Sequence, residues 1–425
     1  MPVIYHKLDN GLKVVMSPDH TSPVVTVAVY YNIGFRIEPK DRTGFAHLFE
    51  HMMFQGSEHL GKMEFIKLVQ SNGGVLNGST RFDFTNYFEI VPSNTLETML
   101  WAEADRMRGL AINQANLDNQ RDVVKNEVRV NVINRPYGGF PWLDLPQYAN
   151  QNWYNSHNFY GDMKDLDAAS LTDVQDFHKT YYAPNNAALA IAGDLDPDQA
   201  MVWVKKYFGD IASAPQPARP DISEPRQTEE KRFNKVDEKA NRPAIAFAWH
   251  APAVGSPEYY ALGMIDQILA VGKDSWLHQS LVQQKGLTGD VSSSINSLGN
   301  MFDINGPTLY EVWLFHDKDK TNDQIITALN EQIERLQNAP VDAATLDRAR
   351  VKMRSQMYDE IEGLFGFGKA DLLASFALFD DDPSKINDIE KNFADVTPEL
   401  IQKTAKEYLR TSNRTILTVE PKAGS

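Results

Sequence analysis

Residues His47-Leu48-Phe49-Glu50-His51 set two imidazoles four positions apart, with a carboxylate directly before the second. Four residues are about one turn of α-helix, so on a helix both rings project from one face and can grip one metal ion. Glu50 falls on nearly the same face, where its carboxylate can serve as general base toward a water rather than as a ligand. The chemistry this order points to is zinc-assisted hydrolysis. Two histidines do not complete such a site, because a catalytic zinc usually takes three protein ligands and keeps a fourth position open. A carboxylate on a second helix is required, and the stretch Asn119–Arg129 offers Glu127 as the candidate.

The elements that must position these residues are legible in the apolar spacing. Ala46, Phe49, Met53 and Phe54 predict an amphipathic helix through the motif, with Asp41 or Thr43 as its cap and Gly56 as its stop. Val123, Val124 and Val128 predict a second such helix, over 115–134, turned toward a core. Strands are expected at 12–16 and 24–31, a helix near Met63–Val69, and a hairpin at 75–80 and 82–91 after Gly73-Gly74. Helices over 94–109 and 171–182 follow, then a strand at 187–192. Residues 1–7 read as a first strand and lack the basic and apolar parts of a signal peptide. The expected location is therefore cytoplasmic, or periplasmic if a leader has been removed.

The clearest linker is 212–232, with Pro215, Pro217, Pro220 and Pro225 and almost no periodicity. It separates a domain of residues 1–211 from one of residues 233–425. The two halves look like an internal repeat. Lys179-Thr180-Tyr181-Tyr182 leads to Asn186 and Leu189-Ala190-Ile191, just as Lys406-Glu407-Tyr408-Leu409 leads without a gap to Asn413 and Ile416-Leu417-Thr418. Only the first half carries H-x-x-E-H. Gly363–Gly368 resembles a phosphate-binding loop only in its glycines; no apolar strand precedes it, and a turn between helices is expected there.

Composition narrows the chemistry. The 425 residues include no cysteine, so thiolate ligands and cysteine nucleophiles are excluded and a zinc site must be built from His and carboxylate. A net charge of −15 argues against nucleic acid as partner. No apolar run is long enough to span a membrane.

In these motifs the chain resembles the M16 metallopeptidases, and most closely the two-subunit M16B branch, which includes the beta subunit of the mitochondrial processing peptidase. The likeness is most specific over residues 40–140, where R-D-V-V-x-x-E (Arg121–Glu127) follows H-x-x-E-H at a comparable distance. The resemblance implies two homologous α/β domains in an α+β chain, each an antiparallel-rich sheet packed with helices. It implies one Zn2+ held by His47, His51 and Glu127, with Glu50 activating water. It implies peptide substrates lying along Gly74–Thr80, which matches the family's G-x-x-N-A-x-T strand, with Asn77 at the substrate-binding asparagine and Gly78 in place of alanine. Two departures stand out. Gln120 occupies a position that is often glutamate. In the second domain the segment Ser275–Val291 has Trp276 and Gly289 where the family has an Arg and a Tyr that contact substrate. A homologous subunit without zinc is therefore expected to supply that pair; a homodimeric peptidase and a non-catalytic assembly subunit are the alternatives.

Overall fold

A computed structural model describes residues 1–422, with the backbone alone at residues 364–366. The chain divides into two compact units. One comprises residues 1–128, 159–220 and 358–388, the other 129–158, 221–357 and 389–425.

The first unit is built on a six-stranded sheet. Its strands are β1 (Ile4–Lys7), β2 (Lys13–Pro18), β3 (Val24–Tyr31), β4 (Val75–Thr80), β5 (Thr85–Pro92) and β6 (Ala187–Gly193), in the order β1-β2-β6-β3-β5-β4. β3 is a run of β-branched and aromatic residues, Val-Val-Thr-Val-Ala-Val-Tyr-Tyr, and is buried along nearly its whole length, as a central strand must be. β4 pairs only with β5, its outer edge is unpaired among the described residues, and its exposure alternates accordingly. Helices α1 (Phe45–Met52), α2 (Glu64–Ser71), α3 (Leu96–Arg108) and α4 (Gln114–Val128) follow the strands in the chain. Phe45, Leu48, Phe49 and Met52 of α1 join Met99 and Leu100 of α3, Val124 of α4 and the inward residues Val27, Val29, Leu189 and Ile191 in one core. Tyr87 of β5 donates through its hydroxyl to the carbonyl of Phe49 at 3.1 Å, which ties α1 to the sheet.

The second unit repeats this plan. β7 (Lys231–Asp237), β8 (Ala244–His250), β9 (Ser292–Ser294), β10 (Leu309–Phe315) and β11 (Arg414–Pro421) lie in the order β7-β11-β8-β10-β9. One parallel pair, β7 with β11, is followed by antiparallel pairs. Strands β2-β6-β3-β5-β4 show the same order and the same sequence of directions. The repeat extends to single hydrogen bonds. Asn186 Nδ2 donates to Tyr181 O at 2.8 Å, and Asn413 Nδ2 donates to Tyr408 O at the same distance. In each unit this asparagine clamps the end of a helix to the start of the strand after it. The expected pair of similar α/β domains around antiparallel-rich sheets is what the structure has.

The run Gly363–Gly368 departs from expectation. It falls inside the helix Ala343–Asp380 rather than in a turn. Long flanks rich in Met, Leu, Ala, Glu and Lys continue the helix through glycines that cost it about 1 kcal/mol each.

The buried clamp gives a direct test. Asn413 also donates to His250 O at 3.0 Å. Asn413→Ala leaves two half-buried carbonyls without that donor and is expected to lower stability by about 1–2 kcal/mol. Urea unfolding checks this; an unchanged midpoint would show that the clamp contributes nothing.

Candidate metal centre

The N-terminus of α1 is fixed from a distance. Gly44 precedes the helix at φ 84°, a left-handed conformation that suits glycine. The backbone of Gly161 lies so close that a Cβ there would come within 2.4 Å of Gly44 N. Neither Asp41 nor Thr43 caps the helix as the sequence suggested. The cap is Glu38, whose fully buried carboxylate accepts from Gly44 N at 2.8 Å and Ala46 N at 2.6 Å. Burial pushes its pKa up to about 8, against the pull of those two N–H groups. Thr43 is committed elsewhere, donating from its hydroxyl to Asp165 at 2.5 Å.

With α1 so held, His47 and His51 project together, their rings 5.0 Å apart and nearly perpendicular. Glu127 reaches both from α4. Its Oε1 is 3.7 Å from His47 Nε2 and its Oε2 is 3.3 Å from His51 Nε2. One ligand atom from each of the three residues lies within 4.8 Å of the other two. α4 achieves this by turning Leu117, Gln120, Val124 and Val128 inward. Val123 was expected on the same face, but it is exposed, because Val124 and Val128 already define the buried stripe and Val123 lies about 100° away from Val124.

The donors suit zinc, which takes imidazole nitrogen and carboxylate oxygen in sites that keep one position open. Burial lowers the pKa of His47 and so favours the neutral imidazole that a metal requires. Burial also opposes charge on His51, but Glu127, the charge of Glu50 and the Gln120 side chain together outweigh it and raise that pKa; the hydrogen bond from His51 in turn lowers that of Glu127. Gln120, the departure noted in the sequence, is buried on α4 and donates from Nε2 to Asn119 Oδ1 at 2.8 Å, and its side chain favours charge on His51. A neutral side chain beside His51 can orient that imidazole.

Glu50 stands next to His51 in sequence but turns to β4. Its Oε2 accepts a 2.6 Å hydrogen bond from the Thr80 hydroxyl. Tyr160 packs its ring 5.2 Å from that of His47, and burial, then the charges of Glu127 and Glu50, raise its pKa to about 12. Glu38 and Tyr160 carried no recognisable functional signal in the sequence. Thr80 was visible as the closing threonine of the G-x-x-N-A-x-T match, with no sign of its contact with Glu50. Asn77 and Gly78 lie on the edge strand β4, and Asn77 Oδ1 accepts from Gly78 N at 2.9 Å. A Cβ at position 78 would meet the Tyr87 ring at 3.1 Å, which accounts for glycine there.

A second grouping, Glu58, His59 and Asp105, is equally compact. Asp105 is already engaged, accepting from Ser57 Oγ, from His59 N and from the His59 ring, and it serves as a loop anchor. In the second unit, the Trp276 ring lies 3.7 Å from the guanidinium carbon of Arg335, and His278 is buried in the same segment.

Comparison with known proteins gives the family of the chain. A family model described as insulinase (peptidase family M16) matches residues 13–136, and one described as peptidase M16 inactive domain matches residues 168–353. The chain belongs to the M16 peptidase family. It is 27% identical to the zinc protease PqqE of Helicobacter pylori, over 97% of this chain and 92% of the relative. It is 20% identical to the mitochondrial-processing peptidase subunit beta of Saccharomyces cerevisiae, over 84% and 78% respectively. The crystal structure of a protease from Helicobacter pylori superposes with a TM-score of 0.89 at 26% identity, covering 99% of both chains. A peptidase M16 inactive domain from Pseudomonas fluorescens shares the fold, with a TM-score of 0.87 at 17% identity over 100% of this chain and 98% of that one.

Gln120 provides the test of the orienting contact. Gln120→Ala is expected to weaken zinc binding about 10- to 100-fold. Competition with a chromophoric chelator measures it; an unchanged affinity would remove Gln120 from the site.

Proposed function

We propose that this chain is a zinc-dependent endopeptidase acting on peptides or unfolded polypeptide segments, with His47, His51 and Glu127 holding one zinc ion and Glu50 acting as general base. The observation that carries the proposal is the convergence of two imidazoles and a carboxylate beside a further carboxylate that is engaged by a hydroxyl. When bound, zinc supplies Lewis acidity to the scissile carbonyl and to water. Glu50 takes the proton of the attacking water and delivers it to the leaving amine nitrogen. The peptide lies along the free edge of β4, where main-chain pairing tolerates many sequences. A substrate carbonyl takes over the Gly78 N–H, and the Asn77 side chain thus released hydrogen-bonds the incoming chain.

The sheets support a domain division at the proline-rich segment 212–232. Strands β1–β6 fall within residues 1–211, and β7–β11 begin at Lys231. In the second domain, Trp276 beneath Arg335 and the bare Gly289 offer no equivalent of an Arg/Tyr pair at those positions. We therefore propose that a homologous subunit without zinc contributes the pair to a heterodimer. Relatives named as beta subunits favour that reading over a homodimer. The alternative of a non-catalytic assembly subunit is disfavoured by the complete set His47, Glu50, His51 and Glu127.

Two measurements test this. Glu50→Gln is expected to retain stoichiometric zinc while peptide turnover falls about 10²- to 10⁴-fold; undiminished turnover would refute the general-base role. Adding the homologous subunit to the zinc-loaded chain is expected to raise hydrolysis by about 10²-fold or more. Equal activity without it would leave the chain, alone or as a homodimer, sufficient.

A further inference from the structure

The structure assigns to Thr80 the role of a positioning residue that aims the Glu50 carboxylate and links it to strand β4. This rests on the peptidase reading above and adds a residue to it. Thr80 is the last residue of β4 and is buried. Its hydroxyl carries one proton and stands 2.6 Å from Glu50 Oε2 and 3.5 Å from Ala46 O, so the carboxylate receives the hydrogen bond. A glutamate side chain has three rotatable bonds, and a single short, charge-assisted bond removes much of that freedom. The other carboxylate oxygen is then held in one direction for proton transfer.

The donor is itself well anchored. Thr80 pairs with Thr85 across the hairpin, and the Thr85 hydroxyl donates to Ile33 O at 2.8 Å. Its neighbour Ser79 donates to Asn86 Oδ1 at 2.5 Å, and Asn86 Nδ2 donates to Tyr30 Oη at 2.8 Å. Side chains two apart on a strand share a face, so Thr80 lies on the same side as Gly78. The strand offered to a peptide at its edge therefore ends in the hydroxyl that orients the base. Peptide engagement and base alignment depend on the same six residues.

The test compares Thr80→Val, which keeps the shape and removes the hydroxyl, with Thr80→Ser, which keeps the hydroxyl. Both are made in the zinc-loaded full chain, with the homologous subunit present if hydrolysis requires it, and each is also combined with Glu50→Gln. Thr80→Val is expected to lower kcat about 10- to 100-fold while KM stays within about twofold. Zinc content should not change, and calorimetry should show a peptide hydroxamate binding about tenfold more weakly. Thr80→Ser is expected to restore most of kcat. On the Glu50→Gln background, Thr80→Val should change the residual rate by less than about twofold, because Thr80 acts through Glu50. A wild-type kcat in Thr80→Val would overturn the assignment, as would the same loss on both backgrounds or a serine variant no better than valine. If Thr80→Val melts early by circular dichroism, Thr80→Ala against Thr80→Ser makes the same comparison without added bulk. Full turnover in Glu50→Gln would instead sink the general-base reading itself, so the two failures are distinguishable.

Discussion

The site depends on the placement of α1. Helix periodicity alone brings His47 and His51 to one face, but it does not aim that face at Glu127. The aim comes from contacts at the first turn and along the side of an eight-residue helix. Glu38 closes its first turn from within the core, the Gly44–Gly161 approach fixes where the chain enters, and Tyr87 holds the carbonyl of Phe49. A helix this short is unstable by itself in water, so tertiary contacts must define its register. The same contacts carry the cost of gathering two histidines and two carboxylates in one place. The close approach of His51 to Glu127, at 3.3 Å, offsets part of that cost.

The second unit shows what the scaffold is without this function. Its five strands reproduce the order and directions of five in the first unit, down to the asparagine that clamps helix to strand. Its helices carry no counterpart of H-x-x-E-H. The fold is therefore a frame, and the residues proposed to bind metal are local to one copy. Aromatic and charged residues fill the second copy where the family keeps substrate contacts, as in the stacking of Arg335 on Trp276.

How much of this was readable from the sequence follows from the range of each interaction. H-x-x-E-H is local, so its helix and its shared face could be read from spacing alone. The repeat was readable because both helix-to-strand junctions preserve the same residues in the same register. Glu127 was readable as a candidate through its segment, although Val123 beside it was placed on the wrong face by a pattern of three valines that fits two stripes. Glu38 and Tyr160 were not readable, since their roles arise from tertiary contacts that leave no periodic trace. Thr80 was visible as the last residue of the substrate-strand motif but not as a partner of Glu50, which is 30 positions away in the chain. The glycines of 363–368 misled in the other direction, because a turn signal was overridden by the helix-forming residues on both sides.

The central claim is that His47, His51 and Glu127 hold one catalytic zinc with a position left open. X-ray absorption at the zinc edge, on the chain reconstituted with one equivalent of zinc, tests it most directly. The account predicts a first shell of nitrogen and oxygen only, about four in number at roughly 2.0–2.1 Å, with imidazole scattering from two histidines. The His47→Ala chain should lose that signature. A shell with one histidine or none, or an unchanged spectrum in the His47→Ala chain, would contradict it.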